Sequence, residues 1–348
     1  MSYLFRCCLF LFSFSAIAFT LTDDKALPAA PNVSKKPWNA SIHGHFLYWQ
    51  AAQSGMAFCK TFRKLSSEEQ SVANHFDPGY KVGFSLYPNF ENTDLTFRFT
   101  WFNQPGRMRS YIKDNQLDCL YNEENKICNI EPPFDNYFDG PLIFFDNILT
   151  SSKSIWGLQI SEGDLELGRR YKVSRQLYLR PMIGLKALWQ KQSWNIYYNN
   201  TIDIGAYKLS ANENFFLDQH SIGIGPRVGC DIKYKWSKNF AFSGNSAFSV
   251  VSSRFKNTML QETSFSNILD FSNASISKKI SNSQPVLEMG LGLAFDRYYM
   301  KDAYHIGSYL GWEFQYLGDN NNFIVTRKDY RNGTLSIQGV NFKVQFDF

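Results

Sequence analysis

The stretch Val340-Asn-Phe-Lys-Val-Gln-Phe-Asp-Phe348 alternates without a break. Val340, Phe342, Val344, Phe346 and Phe348 share one face, and Asn341, Lys343, Gln345 and Asp347 share the other. Period-two alternation is the pattern of a β-strand with one apolar and one polar row. A strand this apolar on one side needs cover. In a closed barrel immersed in lipid the membrane supplies that cover, and ring closure pairs every backbone group.

Similar runs recur upstream. Strands are expected at about 43–52, 79–88, 93–103, 155–170, 176–191, 218–235, 239–255, 285–298, 302–317 and 334–348. Their connections alternate long (53–78, 104–154, 192–217, 256–284, 318–333) and short (89–92, 171–175, 236–238, 299–301). In an up-and-down barrel this places all long connections at one end and all short turns at the other. The expected fold is therefore all-β, a transmembrane antiparallel up-and-down barrel of about ten strands with long extracellular loops. Gly55–Phe62 and part of 104–154 offer two further strands, for an alternative of twelve.

Composition agrees. The 348 residues include 32 Phe and 19 Tyr, a soluble-looking charge content and a net charge of +5 without a basic cluster, which gives no nucleic-acid footprint. Arg6, the apolar run Cys7–Phe14 and Ala16-Ile-Ala18 have the form of an exported leader, assigned to 1–18. Residues 19–42, with Pro28, Pro31 and Pro37, are expected to form a periplasmic tail before a barrel over 43–348. Export permits disulfides, and Cys119 with Cys128 in a polar segment is the expected loop pair. Cys230 falls on an apolar row and is expected to act as a small hydrophobe.

The charged residues fall on the rows opposite the apolar ones. Arg98, Arg180, Lys186, Arg227 and Lys233, with Asp164, Glu166, Asp231, Glu288 and Glu313, are the expected lumen-lining set. A lipid-facing Arg or Lys at the midplane would cost about 2–4 kcal/mol, which fixes the direction of the rows. Tyr171, Tyr178, Tyr234, Trp236, Phe240, Tyr298, Tyr299 and Phe348 are expected to form one aromatic girdle, and Trp49, Trp101, Trp156, Trp189, Trp312 and Tyr316 the other. Three features break the pattern. The fourth strand changes phase near Gly163, where a β-bulge is expected. Pro181 and Pro226 interrupt strands and suggest further bulges, and Ser66-x-x-Glu69 suggests a helical turn in the first long loop.

Catalytic, metal and cofactor motifs are not found. His43, His45, His75, His220 and His305 stand outside any Gly-x-Ser-x-Gly or His-Glu-x-x-His context, and Gly223-Ile-Gly225 lacks the third glycine of a dinucleotide fingerprint. A non-enzymatic protein without a cofactor is expected.

Several stretches resemble the Legionella-type major outer-membrane protein family: Phe46-Leu-Tyr-Trp-Gln50, Asp77-Pro-Gly-Tyr80, Asp164-Leu-Glu-Leu-Gly-Arg169, Leu179-Arg-Pro-Met-Ile-Gly-Leu185, Gly223-Ile-Gly-Pro-Arg227, Pro285-Val-Leu-Glu288 with Gly290-Leu-Gly-Leu-Ala-Phe295, and Gly311-Trp-Glu-Phe-Gln315. The resemblance runs from about residue 43 onward and implies a pore-forming protein of the bacterial outer membrane. Phe346 and Phe348 also resemble the C-terminal signal that such proteins present to the barrel-assembly machinery. The expected partners are that machinery, outer-membrane lipid, and host or envelope proteins touching the loops. Two functions stay open: a porin-like channel for small hydrophilic solutes or ions with weak selectivity, or a structural, adhesive surface protein with a filled barrel. A barrel of this size holds either.

Overall fold

The computed structural model describes residues 40–63, 66–72, 74–88, 92–112, 147–204, 207–265, 268–299, 304–324 and 333–348. Thirteen strands follow in chain order: β1 (Ala40–Gln53), β2 (Ala57–Arg63), β3 (Ser66–Ser71), β4 (Phe76–Leu86), β5 (Thr93–Ile112), β6 (Asn147–Arg169), β7 (Tyr171–Lys172), β8 (Leu177–Ile204), β9 (Tyr207–Lys235), β10 (Phe240–Phe265), β11 (Ile268–Tyr299), β12 (Tyr304–Leu317) and β13 (Leu335–Asp347). The main sheet has eleven, in the order β6-β5-β4-β1-β13-β12-β11-β10-β9-β8-β7, and β6 pairs with β8 to close it. The two-residue β7 merely extends a turn against β8, so ten antiparallel strands form the ring. β13, the strand from which the fold was read, pairs with β1 from Ser41↔Asp347 to Gln53↔Leu335. Alternation is thus converted into closure: its two neighbours leave no free edge.

The twelve-strand alternative is not what forms. β2 and β3 make a separate two-stranded hairpin that takes no part in the ring's ladder. Ser66–Ser71, read as a helix start, is the strand β3, because pairing with Ala57–Arg63 satisfies backbone groups that a lone helical turn would leave open. β1 begins at Ala40, inside the segment assigned to the tail. Residues 1–18 and the Cys119–Cys128 pair lie outside the described residues, as do the side chains around Cys59.

Around the short-turn half, the outward rows are apolar. They run from Leu177 to Trp189 on β8, from Phe240 to Val250 on β10 and from Phe348 back to Val340 on β13. Such runs of 9–13 residues on tilted strands give a band roughly 20–30 Å tall. Its lower rim is aromatic: Trp236 packs on Phe242 with centroids 4.3 Å apart, Phe240 on Phe295 at 5.2 Å, and Phe346 on Phe348 at 5.8 Å. At the upper rim Tyr80 stacks on Trp101 at 5.3 Å, and Trp189 and Trp312 are exposed. Trp49 and Trp156, assigned to that girdle, instead point inward and are buried.

The connections read as 192–217 and 256–284 are strand through most of their length. β8 and β9 meet at Ile204↔Tyr207, and β10 and β11 at Phe265↔Ile268. The reason is an inversion of amphipathy. On β8 the apolar row is odd and outward at Ile183, Leu185 and Trp189, then even and inward at Leu188, Trp194, Ile196 and Tyr198. The Asn, Ser and Lys residues that looked like loop are the solvent face of a wall whose apolar row has turned inside. The same switch explains β6. Trp156, Leu158, Ile160, Glu162, Asp164 and Glu166 are all inward and all even, so the strand passes Gly163 in unbroken register and carries no bulge there.

The prolines need no bulge either. Pro181 follows Leu179, which pairs with β7, and precedes Met182, which pairs with β6; its missing N–H faces the gap between two partners. At Pro226 the β9–β10 ladder skips from Arg227↔Ser249 to Ile224↔Ser252 without changing register.

Candidate functional site

The interior has two storeys. In the lower one, inward residues from eight strands form three ion-pair clusters, which together make up the network. Arg227 of β9 is 2% exposed. Its Nη1 and Nη2 donate to Glu288 on β11, both at 2.7 Å, and its Nε donates to Glu166 on β6 at 3.0 Å. Lys186 of β8, fully buried, reaches Glu288 at 2.7 Å, Glu162 at 2.9 Å and Asp164 at 3.2 Å. Arg98 of β5 pairs with Glu166. Nearer the short turns, Arg180 donates to Asp94 through Nη2 at 2.5 Å and to Asp231 through Nη1 at 2.8 Å. Gly168 leaves the space for it: a Cβ there would lie 2.5–2.7 Å from the guanidinium. His305 lies between Asp347 (Nδ1–Oδ2, 2.5 Å) and Asp296 (Nε2–Oδ1, 3.2 Å), and Lys233 reaches Asp296 at 2.6 Å. Across the ring Lys81 meets Glu313 at 3.1 Å, and Asn341 donates to Glu313 at 2.5 Å.

Buried charges persist only when paired, since each unpaired one costs several kcal/mol after relaxation. The inward rows of these eight strands therefore supply one another's partners, across intervening strands as well as between neighbours. All ten charged residues assigned to the lumen occupy inward rows within this network. Asp94, Glu162, Asp296, Asp347, His305 and Lys81 join them. Asp94, Glu162, Asp296 and His305 are each in phase with an assigned residue of their own strand, and Asp347 and Lys81 fall on the polar rows of their alternating strands.

The upper storey is mostly apolar, with Phe215, Leu217, Val251, Met259 and Val286 of β9–β11 in its core, and one polar stripe runs through it. Leu47, Trp49, Phe102, Trp156, Leu158, Leu317 and Ile337 pack against β8 residues such as Leu188 and Trp194. Each such burial is worth about 1.5–3 kcal/mol. The polar stripe climbs β8–β11 from Ser249 through Gln284, Ser253, Ser221 and Gln190 to Gln192, Gln219 and Asn257, all buried. Gln190 Nε2, Gln192 Nε2, Ser249 Oγ, Ser253 Oγ and Gln284 Oε1 have no protein partner. A dry, unmade bond at each would cost about 1–3 kcal/mol, so the stripe is water-seeking.

The stripe ends at a segment that the sequence places in an outer loop. After β12 the chain turns at Asp319, whose φ is 46°, and Asn320–Ile324 enters the mouth, where all five residues are buried. Gln219 holds it at both ends: Nε2 donates to Asn320 O, and Oε1 accepts from Asn322 N, both at 2.8 Å. Asn257 Nδ2 donates to Asn322 O at 2.7 Å, and Gln284 Nε2 to Asn320 Oδ1 at 3.1 Å. Asn320 Nδ2 donates to Gln53 Oε1 at 3.2 Å, and Phe323 seats on Trp194 with centroids 5.8 Å apart. Polar Asn-Asn-Asn carries no sequence signal for burial, and the amides that receive it lie far away in the chain.

A closed ten-stranded ring with a lipid-height apolar band, aromatic rims and a charged interior defines a β-barrel protein of the bacterial outer membrane. The chain belongs to the family of the Legionella pneumophila major outer membrane protein precursor, whose model matches residues 30–348. Among solved structures it is similar to the outer membrane protease OmpT of Escherichia coli, at 12% identity and a TM-score of 0.40, over 92% of this chain and 100% of that one. It is also similar to the Pseudomonas putida toluene transporter TodX, at 10% identity and a TM-score of 0.28, over 89% of each chain. At these scores neither likeness carries an argument about activity. No curated protein matches the chain.

Proposed function

We propose that the protein is a gated, porin-like channel for ions and small hydrophilic solutes, of weak selectivity. The observation that carries this reading is the polar stripe. It links the ion-pair network to the mouth and is capped there by Asn320–Asn322, which amide side chains of β1, β9, β10 and β11 hold. These bonds lie outside the barrel ladder, so the segment can leave while the wall stays intact. Mixed charge along the lower path favours neither ion sign strongly. No catalytic role is assigned to the histidines.

Planar-bilayer recording on the refolded full chain tests it. The wild type should open briefly, and a variant lacking residues 319–324, shown folded by heat-modifiable gel mobility, should conduct persistently. Silence from both, across several preparations and voltages, overturns the channel. It would leave the second reading, a surface protein with a filled barrel, which the fully buried layer of Trp156, Leu158 and Leu188 favours. Loss of cell adhesion on deleting residues 113–146, which spares β5 and β6, with unchanged conductance would support that reading.

A further inference from the structure

The outer wall of β8–β11 carries a row of basic side chains. The ladder pairs Lys191↔His220, His220↔Lys256 and Lys256↔Lys279, so four basic side chains of four adjacent strands stand directly opposite one another. All four are exposed and outward, and Arg254 lies one position nearer the apolar band, facing Ile222 and Ser281. Together with Trp189 they line a groove of about 710 Å³. Lys256 and Lys279 stand directly opposite, and like charges so placed destabilise a sheet, so the row favours a counter-charge. The nearby outward carboxylate is Asp218, two residues further from the band on β9 and facing Ser193 and Thr258, which cannot neutralise the row alone.

The height of the row says what supplies the charge. On β8 and β9 it sits one row above Trp189 and Ile222, where the apolar band stops on the long-connection side; on β10 and β11 the last apolar outward residues, Val250 and Pro285, lie three rows below it, with Ser252, Arg254, Ser281 and Ser283 between. Long connections face outward in outer-membrane barrels, so this is the headgroup level of the outer leaflet. With strands about 4.8 Å apart, the row extends roughly 14 Å, room for more than one phosphate. Below it, Trp189 and Ile222 offer an apolar, lipid-facing surface to acyl chains.

We infer that this face is a specific site for a phosphorylated glycolipid of the outer leaflet, its phosphates held by Lys191, Arg254, Lys256 and Lys279 and its acyl chains laid on Trp189 and Ile222. The occupant is a lipid and not a free anion, because the groove is continuous with the membrane-facing band.

Native mass spectrometry of the full chain in micelles tests this, with bisphosphorylated lipid A, dephosphorylated lipid A, phosphatidylethanolamine and inorganic phosphate as separate probes. Bisphosphorylated lipid A should bind at least tenfold more tightly than the dephosphorylated form. The triple variant Lys191→Gln, Lys256→Gln, Lys279→Gln should lose that preference, and the single variant Lys256→Gln should lose part of it. In lipid-free micelles the triple variant should unfold no earlier than the wild type, since repulsion has been removed. Equal binding by wild type and triple variant, no dependence on the phosphates, or binding of inorganic phosphate as tight as that of the lipid would each overturn the site.

Discussion

Removing Arg227 tests whether the lower lumen is packed protein or open water. Its guanidinium makes two bonds of 2.7 Å to Glu288 and one of 3.0 Å to Glu166, and it also faces Asp164 at 3.8 Å. Arg227→Met leaves those carboxylates to Lys186, Arg98 and Arg180 alone. At charge separations near 4 Å, one attraction is worth about 4 kcal/mol at the effective dielectric of a protein site and about 1 kcal/mol in bulk water. Breaking a buried pair by removing one partner costs about 3–5 kcal/mol. Arg227→Met should therefore lower the unfolding free energy by about 3–5 kcal/mol. Arg227→Met with Glu288→Met should cost less than Arg227→Met alone, because the most strongly bonded orphan leaves with its partner. Urea unfolding in lipid vesicles, followed by gel mobility and tryptophan fluorescence, supplies the cycle. A cost of about 1 kcal/mol or less for the single variant, with no coupling to Glu288, would refute the packed network and place these charges in water.

Three other outcomes follow from the same structure. Gln219→Ala removes two bonds to the inward segment and should raise the channel's open probability roughly 5–150-fold, read in single-channel records. Leu291→Arg, at the most exposed apolar position of the band (68%), should cost about 2–4 kcal/mol of stability in vesicles. Thr258→Arg, one row above the basic groove, should change stability by about 0.5 kcal/mol or less, so an equal penalty at both would misplace the membrane boundary. Glu213, inward above the band, has its carboxyl pushed up by burial. The charged form is thus penalised in the fold at pH above its folded pKa, and the penalty vanishes below the unfolded pKa, where both states are protonated. Glu213→Gln should accordingly raise the thermal midpoint at pH 8 and leave it unchanged at acid pH.

Where lipid is the solvent, sequence and structure say the same thing. Tyr80, Val82, Phe84 and Leu86, or Ile222, Ile224, Val228 and Ile232, are outward as their alternation requires, and the charged rows opposite them face in. The strand count follows from those rows. Legibility fails where the solvent changes. At Gly163 the odd apolar row of β6 gives way to an even one, and a bulge and an inversion look identical in one dimension. Only the partner strand distinguishes them: Glu162↔Leu188 and Asp164↔Lys186 continue in register. The inward segment is opaque for another reason, because its burial depends on Gln219, Asn257 and Gln284, amides contributed by three separate strands.

That inversion has a consequence for variation. Below the level of Gly163, even positions of β6 and β8 must keep charge partners while odd ones accept any greasy side chain. Above it, even positions must keep shape and volume while odd ones accept nearly anything soluble. A saturation scan of β8 should show its tolerant positions unchanged in parity but reversed in chemistry between Leu185 and Asn195. The chain thereby records, in the grammar of its permitted substitutions, the plane at which the membrane ends.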